Sequence, residues 1–188
     1  MRDPILNKTL EQFSGDKITL RPSSIDGFSG CSRQWALVFL GGMKSIPSGR
    51  AAIGTAIHAA VEQGWKESIA YKRKAFEATE SLKSLAADNL VEQDLTDDIR
   101  WDNGEDLETG IREAQAGVET FISDIVPFVD IPEAVEERFT IKFEDHPIVD
   151  GLSGTVDYRS ADTIADVKTS KRKPVPQSYE TQQSLYKL

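Results

Sequence analysis

Asp157, Asp166 and Lys168 have the residue types and the spacing that a hydrolytic site needs. Asp166 and Lys168 are two residues apart, so on a β-strand their side chains point to the same face. A hairpin would bring Asp157, on the preceding strand, beside Asp166. Two carboxylates held close together repel one another unless a cation lies between them, and a hard divalent cation prefers oxygen ligands. The trio therefore indicates a metal site for phosphodiester hydrolysis, although an Asp-x-Lys triplet alone more often forms a surface salt bridge.

The residues that carry this chemistry fall in a part of the chain with strand periodicity. From Val135 to Phe143 apolar and polar side chains alternate, which predicts a first strand. Residues 152–159 and 163–169 predict a second and a third strand. The short turn at 160–162 predicts that these two strands form a hairpin.

Glu137 falls on the same predicted face of the first strand as Val135 and Phe139, which is the apolar face. A carboxylate rarely faces a core without a partner. We therefore predict that Glu137 reaches the metal region or orders Lys168. A strand register that differs by one residue would bring Glu136 inward instead, and both registers stay open.

The N-terminal half has the apolar spacing of helices. A first helix, capped by Ser23 or Ser24 and interrupted near Gly30, is predicted to end at Gly41. Apolar residues at helical spacing predict the remaining helices, which are 52–73, 75–93, 104–125 and 177–188. Helices followed by three strands and a helix indicate an α/β or α+β fold rather than a helical bundle.

Four short pieces occur in one order along the chain: Gly54-x-x-x-His58, Gly154-x-x-Asp157, Asp166-x-Lys168-Thr169 and Gln182-x-x-x-Tyr186. Together they resemble the PD-(D/E)XK nuclease superfamily, and within it the RecB-like branch of CRISPR-adaptation nucleases, AddB and phage exonucleases. The resemblance implies an α/β fold with a restriction-endonuclease-like core, in which a mixed central sheet is flanked by helices and the N-terminal half is helical. It implies one nuclease domain over 1–188, made of N-terminal helices with the His motif (21–73), a helical insertion (74–130) and the catalytic strands with the final helix (131–188).

The resemblance also implies a role for each matched residue. A divalent cation, Mg²⁺ or Mn²⁺, would be held by His58, Asp157, Asp166 and the main-chain carbonyl of Val167. Lys168 would be catalytic, and Glu137 would have a supporting role. Gln182 and Tyr186 are four residues apart on the final helix, so both would face the site or the DNA backbone. Without the resemblance, His58 beside Ile57 and Val61 would more often be a structural histidine.

The chain departs from this family at its end, because RecB-like folds continue past the Gln-x-x-x-Tyr helix into another strand. We therefore expect the chain, which stops at Leu188, to be truncated or its last strand to come from elsewhere.

Cys31 lies where some members of the branch have the first ligand of a 4Fe-4S cluster. The other three ligands are absent from the sequence, whose one cysteine is Cys31. Such a cluster is therefore conceivable only in a longer chain. The alternative for Cys31 is a small buried apolar thiol.

The charge distribution is uneven. The formal net charge is −9, which is unfavourable for phosphate binding, but Lys171, Arg172 and Lys173 follow Lys168 in a compact basic cluster. We predict that this cluster contacts DNA, although a solvated basic loop is an equal alternative. A single cysteine, no secretory signal and no apolar stretch of about 18 residues predict a cytoplasmic protein outside the membrane.

The sequence as a whole predicts a metal-dependent deoxyribonuclease, and more narrowly an exonuclease of recombination, repair or phage DNA processing. Its expected partners are DNA and a recombination or single-strand-annealing protein, and an oligomer is compatible with this reading. Two alternatives remain at this point. One is a catalytically silent nuclease fold that binds DNA or a protein, and the other is an iron–sulfur nuclease of the CRISPR-adaptation type. The complete set of His58, Asp157, Asp166 and Lys168 counts against the silent fold, which has no need of a lysine beside clustered carboxylates.

Overall fold

The computed structural model describes residues 17–44, 46–102 and 104–169, with Asp26 described by its main chain. Its helices are α1 (Pro22–Gly30), α2 (Ser32–Trp35), α3 (Gly49–Tyr71), α4 (Thr79–Asp97) and α5 (Leu107–Asp124). A π-helical turn (Ala36–Leu40) continues α2, and a 3₁₀ turn (Val126–Phe128) follows α5. The strands are β1 (Ile18–Leu20), β2 (Ala134–Lys142), β3 (Val149–Arg159) and β4 (Ile164–Ala165). The described residues thus form a mixed four-stranded sheet flanked by helices, which confirms the predicted α/β class.

The sheet is organised around β3, its longest strand. β2 pairs along β3, β1 runs parallel to the beginning of β3, and β4 runs antiparallel to its end. Tyr158 lies opposite Ala165, and the turn between them is closed by the hydrogen bond from Ser160 N to Thr163 O (2.8 Å). The predicted hairpin between the second and third strands is therefore confirmed.

The chain divides into two compact units, of which the first comprises residues 1–45, 138–155 and 172–188. In its described part, Pro22 occupies the first position of α1, where proline is favoured because its missing N–H has no partner to lose. Cys31 is extended (φ −155°, ψ 95°) and separates α1 from α2. This break confirms the predicted interruption near Gly30. Trp35 packs edge-on against Phe28 and stacks on Phe39, with ring centroids 5.3 and 4.9 Å apart.

The second unit comprises residues 46–137 and 156–171 and contains the larger apolar core. Helices α3, α4 and α5 pack on one another and on the ends of the strands. Trp65, which is 1% exposed, lies at the centre of an aromatic group, with ring centroids 4.7 Å from Phe76, 5.4 Å from Tyr158 and 6.2 Å from Phe121. This core fixes α3 against β3, so side chains on these two elements keep a defined separation.

The described helices follow the predicted periodicities, with two differences, and the helix predicted at 177–188 lies outside the described residues. Helix α1 begins at Pro22 with Arg21 as its N-cap, and not at a cap of Ser23 or Ser24. The helix predicted at 75–93 begins at Thr79 and ends at Asp97. Residues 74–78 are not helical, because Ala75 and Phe76 turn into the core and Lys74 Nζ donates to Val126 O at 2.9 Å. None of the helices in the described ranges combines the length and the apolar character that a membrane span requires.

Candidate metal centre

His58 lies on α3, whose opposite face is fixed in the core. Ser48 caps the helix by accepting a hydrogen bond from Ala51 N (3.3 Å), and Ala56, Ile57, Ala60 and Val61 are buried on either side of His58 along the chain. The imidazole itself is half-buried, with 30% of its side chain exposed. The helix therefore holds His58 at the edge of the core, where one side of its ring remains accessible.

Gly54, one turn before His58, allows a close approach of the chain after β4. A Cβ atom on Gly54 would lie 2.8 Å from Thr169 Oγ1, which is closer than carbon and oxygen approach without displacement. A side chain at position 54 would therefore require Thr169 to move, and glycine avoids this clash. The contact joins the Gly54-x-x-x-His58 piece to the Asp166-x-Lys168-Thr169 piece.

Asp157 lies on β3 between Val156 and Tyr158, both of which are buried. Its side chain is 16% exposed, and its Oδ2 lies 3.6 Å from His58 Nδ1. The same oxygen accepts a hydrogen bond from Val167 N at 2.7 Å. The hairpin of β3 and β4 therefore places Asp157 between the helix that carries His58 and the segment that follows β4.

Val167 uses both of its main-chain polar groups at this site. Its N–H donates to Asp157, and its carbonyl oxygen contacts His58 Nε2. These bonds explain why β4 ends at Ala165, although the sequence predicted a strand over 163–169. The Val167 groups that would continue the ladder are bound by side chains instead.

Lys168 and Asp166 form an ion pair, with Lys168 Nζ 2.9 Å from Oδ1 and 2.7 Å from Oδ2 of Asp166. The Asp166 side chain is 7% exposed and that of Lys168 is 36% exposed. Both charges act on Asp157, since Asp166 raises the pKa of that carboxyl and Lys168 lowers it. The hairpin thus brings the Asp166–Lys168 ion pair within electrostatic range of Asp157, but Asp166 is not among the residues whose ligand atoms converge on a metal site.

Glu136, and not Glu137, lies beside His58 and Asp157, which corrects the strand register that pointed Glu137 to the site. Glu136 has a φ of +50°, in the left-handed region that interrupts strand alternation. Glu137 is directed elsewhere and accepts hydrogen bonds from Arg159 Nε (2.5 Å) and Nη2 (3.2 Å). The Arg159 guanidinium accordingly lowers the pKa of Glu137. The periodicity of a strand assumes a regular backbone, and therefore it could not predict the left-handed conformation at Glu136.

His58, Glu136 and Asp157 each offer one ligand atom, and these atoms lie within 4.8 Å of one another. This is the group among the described residues that has the composition and the spacing of a metal site. A histidine nitrogen with two carboxylate oxygens suits a borderline or hard divalent cation. If His58 donates its Nε2 proton to the Val167 carbonyl, the lone pair of Nδ1 faces the Asp157 carboxylate, and two electron-rich atoms meet where a cation would stabilise both.

The electrostatics of the two carboxylates agree with that fit. Burial raises the pKa of Asp157, the negative charge of Asp166 raises it further, and the hydrogen bond from Val167 N opposes the rise. Partial burial also raises the pKa of Glu136, and the charges of Asp157 and Glu62 add to the effect. Carboxylates held close together at a partly buried site favour either protonation of one of them or binding of a cation. Glu62, one turn after His58 on α3, pairs with Lys66 at 2.5 Å on the rim of this group.

The remaining predicted residues lie apart from this group or outside the described part of the chain. Cys31 is an exposed free thiol in the first unit, which does not fit the alternative of a buried apolar cysteine. Lys171, Arg172, Lys173, Gln182 and Tyr186 lie outside the described residues. Glu136 is the residue that the sequence offered as an alternative to Glu137.

The fold and this centre are those of an α/β protein with a candidate metal site. Residues 19–188 match the PD-(D/E)XK nuclease superfamily, which is most of the chain, and the protein belongs to that superfamily. Its members are typically hydrolytic nucleases that use divalent metals and act on DNA. No curated protein and no solved structure matches the chain.

Proposed function

We propose that this protein is a divalent-metal-dependent deoxyribonuclease that hydrolyses phosphodiester bonds of DNA. The observation that carries the proposal is the group of His58, Glu136 and Asp157, whose ligand atoms lie within 4.8 Å of one another. Lys168 lies within electrostatic range of it, since its charge lowers the pKa of Asp157. Superfamily membership indicates the class of reaction, and the group of His58, Glu136 and Asp157 is the proposed site of that reaction.

The cation would be held by His58 through Nδ1, by Glu136 and by Asp157. The Val167 carbonyl, which the family resemblance gave as a ligand, instead contacts His58 Nε2 on the other side of the ring, and the Asp166 carboxylate pairs with Lys168. The carboxylates suit both Mg²⁺ and Mn²⁺. The histidine nitrogen favours Mn²⁺, because Mn²⁺ is the softer cation and accepts nitrogen ligands more readily. When bound, a divalent cation would lower the pKa of an attacking water and neutralise charge on the phosphate.

Lys168 carries the chemistry that the protein itself contributes. Asp166 binds its Nζ through both carboxylate oxygens, so the ammonium group is held in a defined orientation. From there Lys168 would hold the attacking water by a hydrogen bond from Nζ and stabilise the charge that develops on the phosphate. Asp166 would thus position Lys168.

Within this class we propose an exonuclease of the RecB-like branch that acts in recombination, repair or phage DNA processing. The order of the four sequence pieces supports this choice, with Gly54-x-x-x-His58 first and Gln182-x-x-x-Tyr186 last. Gln182, Tyr186 and the basic residues Lys171, Arg172 and Lys173 are proposed to contact the DNA backbone. A partner protein of recombination or single-strand annealing would deliver the DNA.

The test is a cleavage assay on end-labelled linear and circular DNA, single- and double-stranded, with Mg²⁺ or Mn²⁺. We expect cleavage that requires the metal and a DNA end. Lys168→Ala should slow cleavage about 100-fold or more while Mn²⁺ and DNA binding persist, because Lys168 is not a ligand. Lys142→Ala, which removes an exposed lysine of β2, is the matched control and should cleave at the wild-type rate.

Two outcomes would contradict the proposal in different ways. Equal cleavage of circular and linear DNA would reject the exonuclease and keep the nuclease. DNA binding without cleavage under every metal condition would leave the silent binding module as the better account.

A further inference from the structure

Glu136 reaches the metal group through a main-chain conformation that a glutamate rarely adopts. Its φ of +50° lies in the left-handed region, which glycine, asparagine and aspartate populate far more readily. Between the bonds Glu133 N to Arg159 O and Phe143 N to Asp150 O, the chain advances one residue more along β2 than along β3. Glu136 therefore lies in a β-bulge, and such a conformation persists only where neighbouring contacts hold it.

Arg159 supplies contacts on both sides of that bulge. Its Nε and Nη2 donate to the two carboxylate oxygens of Glu137, at 2.5 and 3.2 Å. Its Nη1 donates to Glu133 Oε2 at 2.6 Å. The two glutamates thus bind one guanidinium, with Glu136 between them in the chain. A planar guanidinium holds such a pair in a fixed geometry, which a lysine ammonium does not do.

The main chain of Arg159 is fixed as well. Its carbonyl accepts the hydrogen bond from Glu133 N at 2.8 Å, and the residue pairs with Ile164 of β4. Arg159 also follows Asp157 by two residues on β3, so the same strand carries a ligand of the proposed metal and the group that braces the bulge. Arg159 is not itself one of the three residues whose ligand atoms converge.

We propose that Arg159 is a positioning residue, whose guanidinium holds Glu133 and Glu137 on either side of the bulge and thereby directs the Glu136 carboxylate toward His58 and Asp157. This inference rests on the metal centre proposed above. Exposed ion pairs generally contribute little to stability, whereas those of Arg159 would contribute to metal affinity. Groups that orient a metal ligand from behind commonly change affinity when they are removed.

The test is a calorimetric titration of the full chain with Mn²⁺ alone. We expect Arg159→Ala to weaken Mn²⁺ binding about 10-fold or more. Arg112→Ala, which breaks the exposed ion pair with Glu108 on α5, is the matched control and should bind as the wild type does. Glu136→Gln should weaken binding too, and adding Arg159→Ala to it should weaken binding no further. Arg159→Lys should lie between the wild type and Arg159→Ala, because a lysine cannot bind both glutamates as a fork.

Several outcomes would overturn the inference. Unchanged affinity in Arg159→Ala or in Glu136→Gln would do so. An equal loss from Arg159→Ala with and without Glu136→Gln would do so as well, because Arg159 would then not act through Glu136. If circular dichroism shows that Arg159→Ala does not fold, Glu137→Gln takes its place, since it breaks the fork and leaves Arg159 intact.

Failure of the metal centre gives a different pattern. If the wild type does not bind Mn²⁺, or if Asp157→Asn binds it as well as the wild type does, the centre is refuted together with this inference. If Asp157→Asn loses Mn²⁺ while Arg159→Ala keeps it, the centre stands and the role of Arg159 alone is refuted.

Discussion

At the scale of single residues, the centre depends on contacts that tie one sequence piece to another. Gly54 makes room for Thr169, the Asp157 carboxylate binds the Val167 N–H, and the Val167 carbonyl meets His58. The contacts of Gly54 and His58 join parts of the chain that are far apart in sequence, and the contact of Asp157 closes the β3–β4 hairpin. A change at one of them should therefore be felt in metal affinity as well as in stability.

Gly54→Val tests this coupling directly. A Cβ atom at Gly54 would lie 2.8 Å from Thr169 Oγ1, so a valine must displace the Thr169 side chain, and we expect its larger γ-methyl groups to push on the segment that carries Lys168. We expect a loss of about 1–3 kcal/mol in the free energy of unfolding, measured by urea denaturation. Mn²⁺ affinity should fall as well, and Thr169→Gly in the same chain should restore part of both.

The control for this change is Gly30→Ala, because a Cβ atom at Gly30 would meet nothing within 4 Å. That variant should keep wild-type stability and metal affinity. A Gly54→Val protein that is as stable and binds Mn²⁺ as well as the wild type would show that the close approach is unimportant.

At the scale of elements, the sequence correctly predicted the helices and strands whose apolar residues follow the regular spacing of a helix or a strand. The buried stripe of Ala114 and Val118 on α5 and the alternation from Phe139 to Ile141 on β2 both reflect regular backbone geometry. Two irregular places were not predictable in this way. β4 stops where Val167 bonds to side chains, and β2 changes register at Glu136, because both depend on contacts with distant residues.

Helix α4 provides an internal comparison of core and surface packing. Leu90 is fully buried and Leu95, on the same helix, is 82% exposed. Leu90→Ala should cost about 2–5 kcal/mol of unfolding free energy, because it leaves a cavity between α4 and its neighbours. Leu95→Ala should change that free energy by no more than about 0.5 kcal/mol in urea denaturation. Similar losses in the two variants would contradict the packing described for α4.

Helix α5 should show a pH-dependent contribution from its cap. Asp106 accepts a hydrogen bond from Thr109 N at 2.8 Å, which lowers the pKa of Asp106 below its ordinary value of 3.8. A lowered pKa in the folded state means that the contribution is fully present above the unfolded pKa and is lost as the pH falls through the folded pKa. Asp106→Asn retains an acceptor but cannot titrate.

Urea denaturation of both proteins at several pH values between about 2 and 7 would check the cap. The wild type should lose its advantage over Asp106→Asn as the pH falls below the unfolded pKa. A difference between the two proteins that stays constant over this range would contradict the assigned cause.

At the scale of the whole molecule, the superfamily match extends over residues 19–188 and so includes parts of both compact units. The described residues of the proposed metal centre all belong to the second unit. The sequence predicted His58 and Asp157 in that centre through the order of its motifs, and it left Glu136 as an alternative to Glu137. The net charge of −9 would make a bound cation more important for the proposed DNA cleavage, because the phosphates would meet an acidic protein.

The most direct test of the central claim is cleavage of a labelled linear duplex by protein that has been stripped with EDTA and then resupplied with Mg²⁺ or Mn²⁺. The wild type and Asp88→Asn, which changes an exposed aspartate of α4, should regain cleavage when the metal returns. Asp157→Asn should remain inactive, at about 100-fold or more below the wild type, because it loses a charged ligand beside His58. Metal-independent cleavage by the wild type, or full cleavage by Asp157→Asn, would contradict the account.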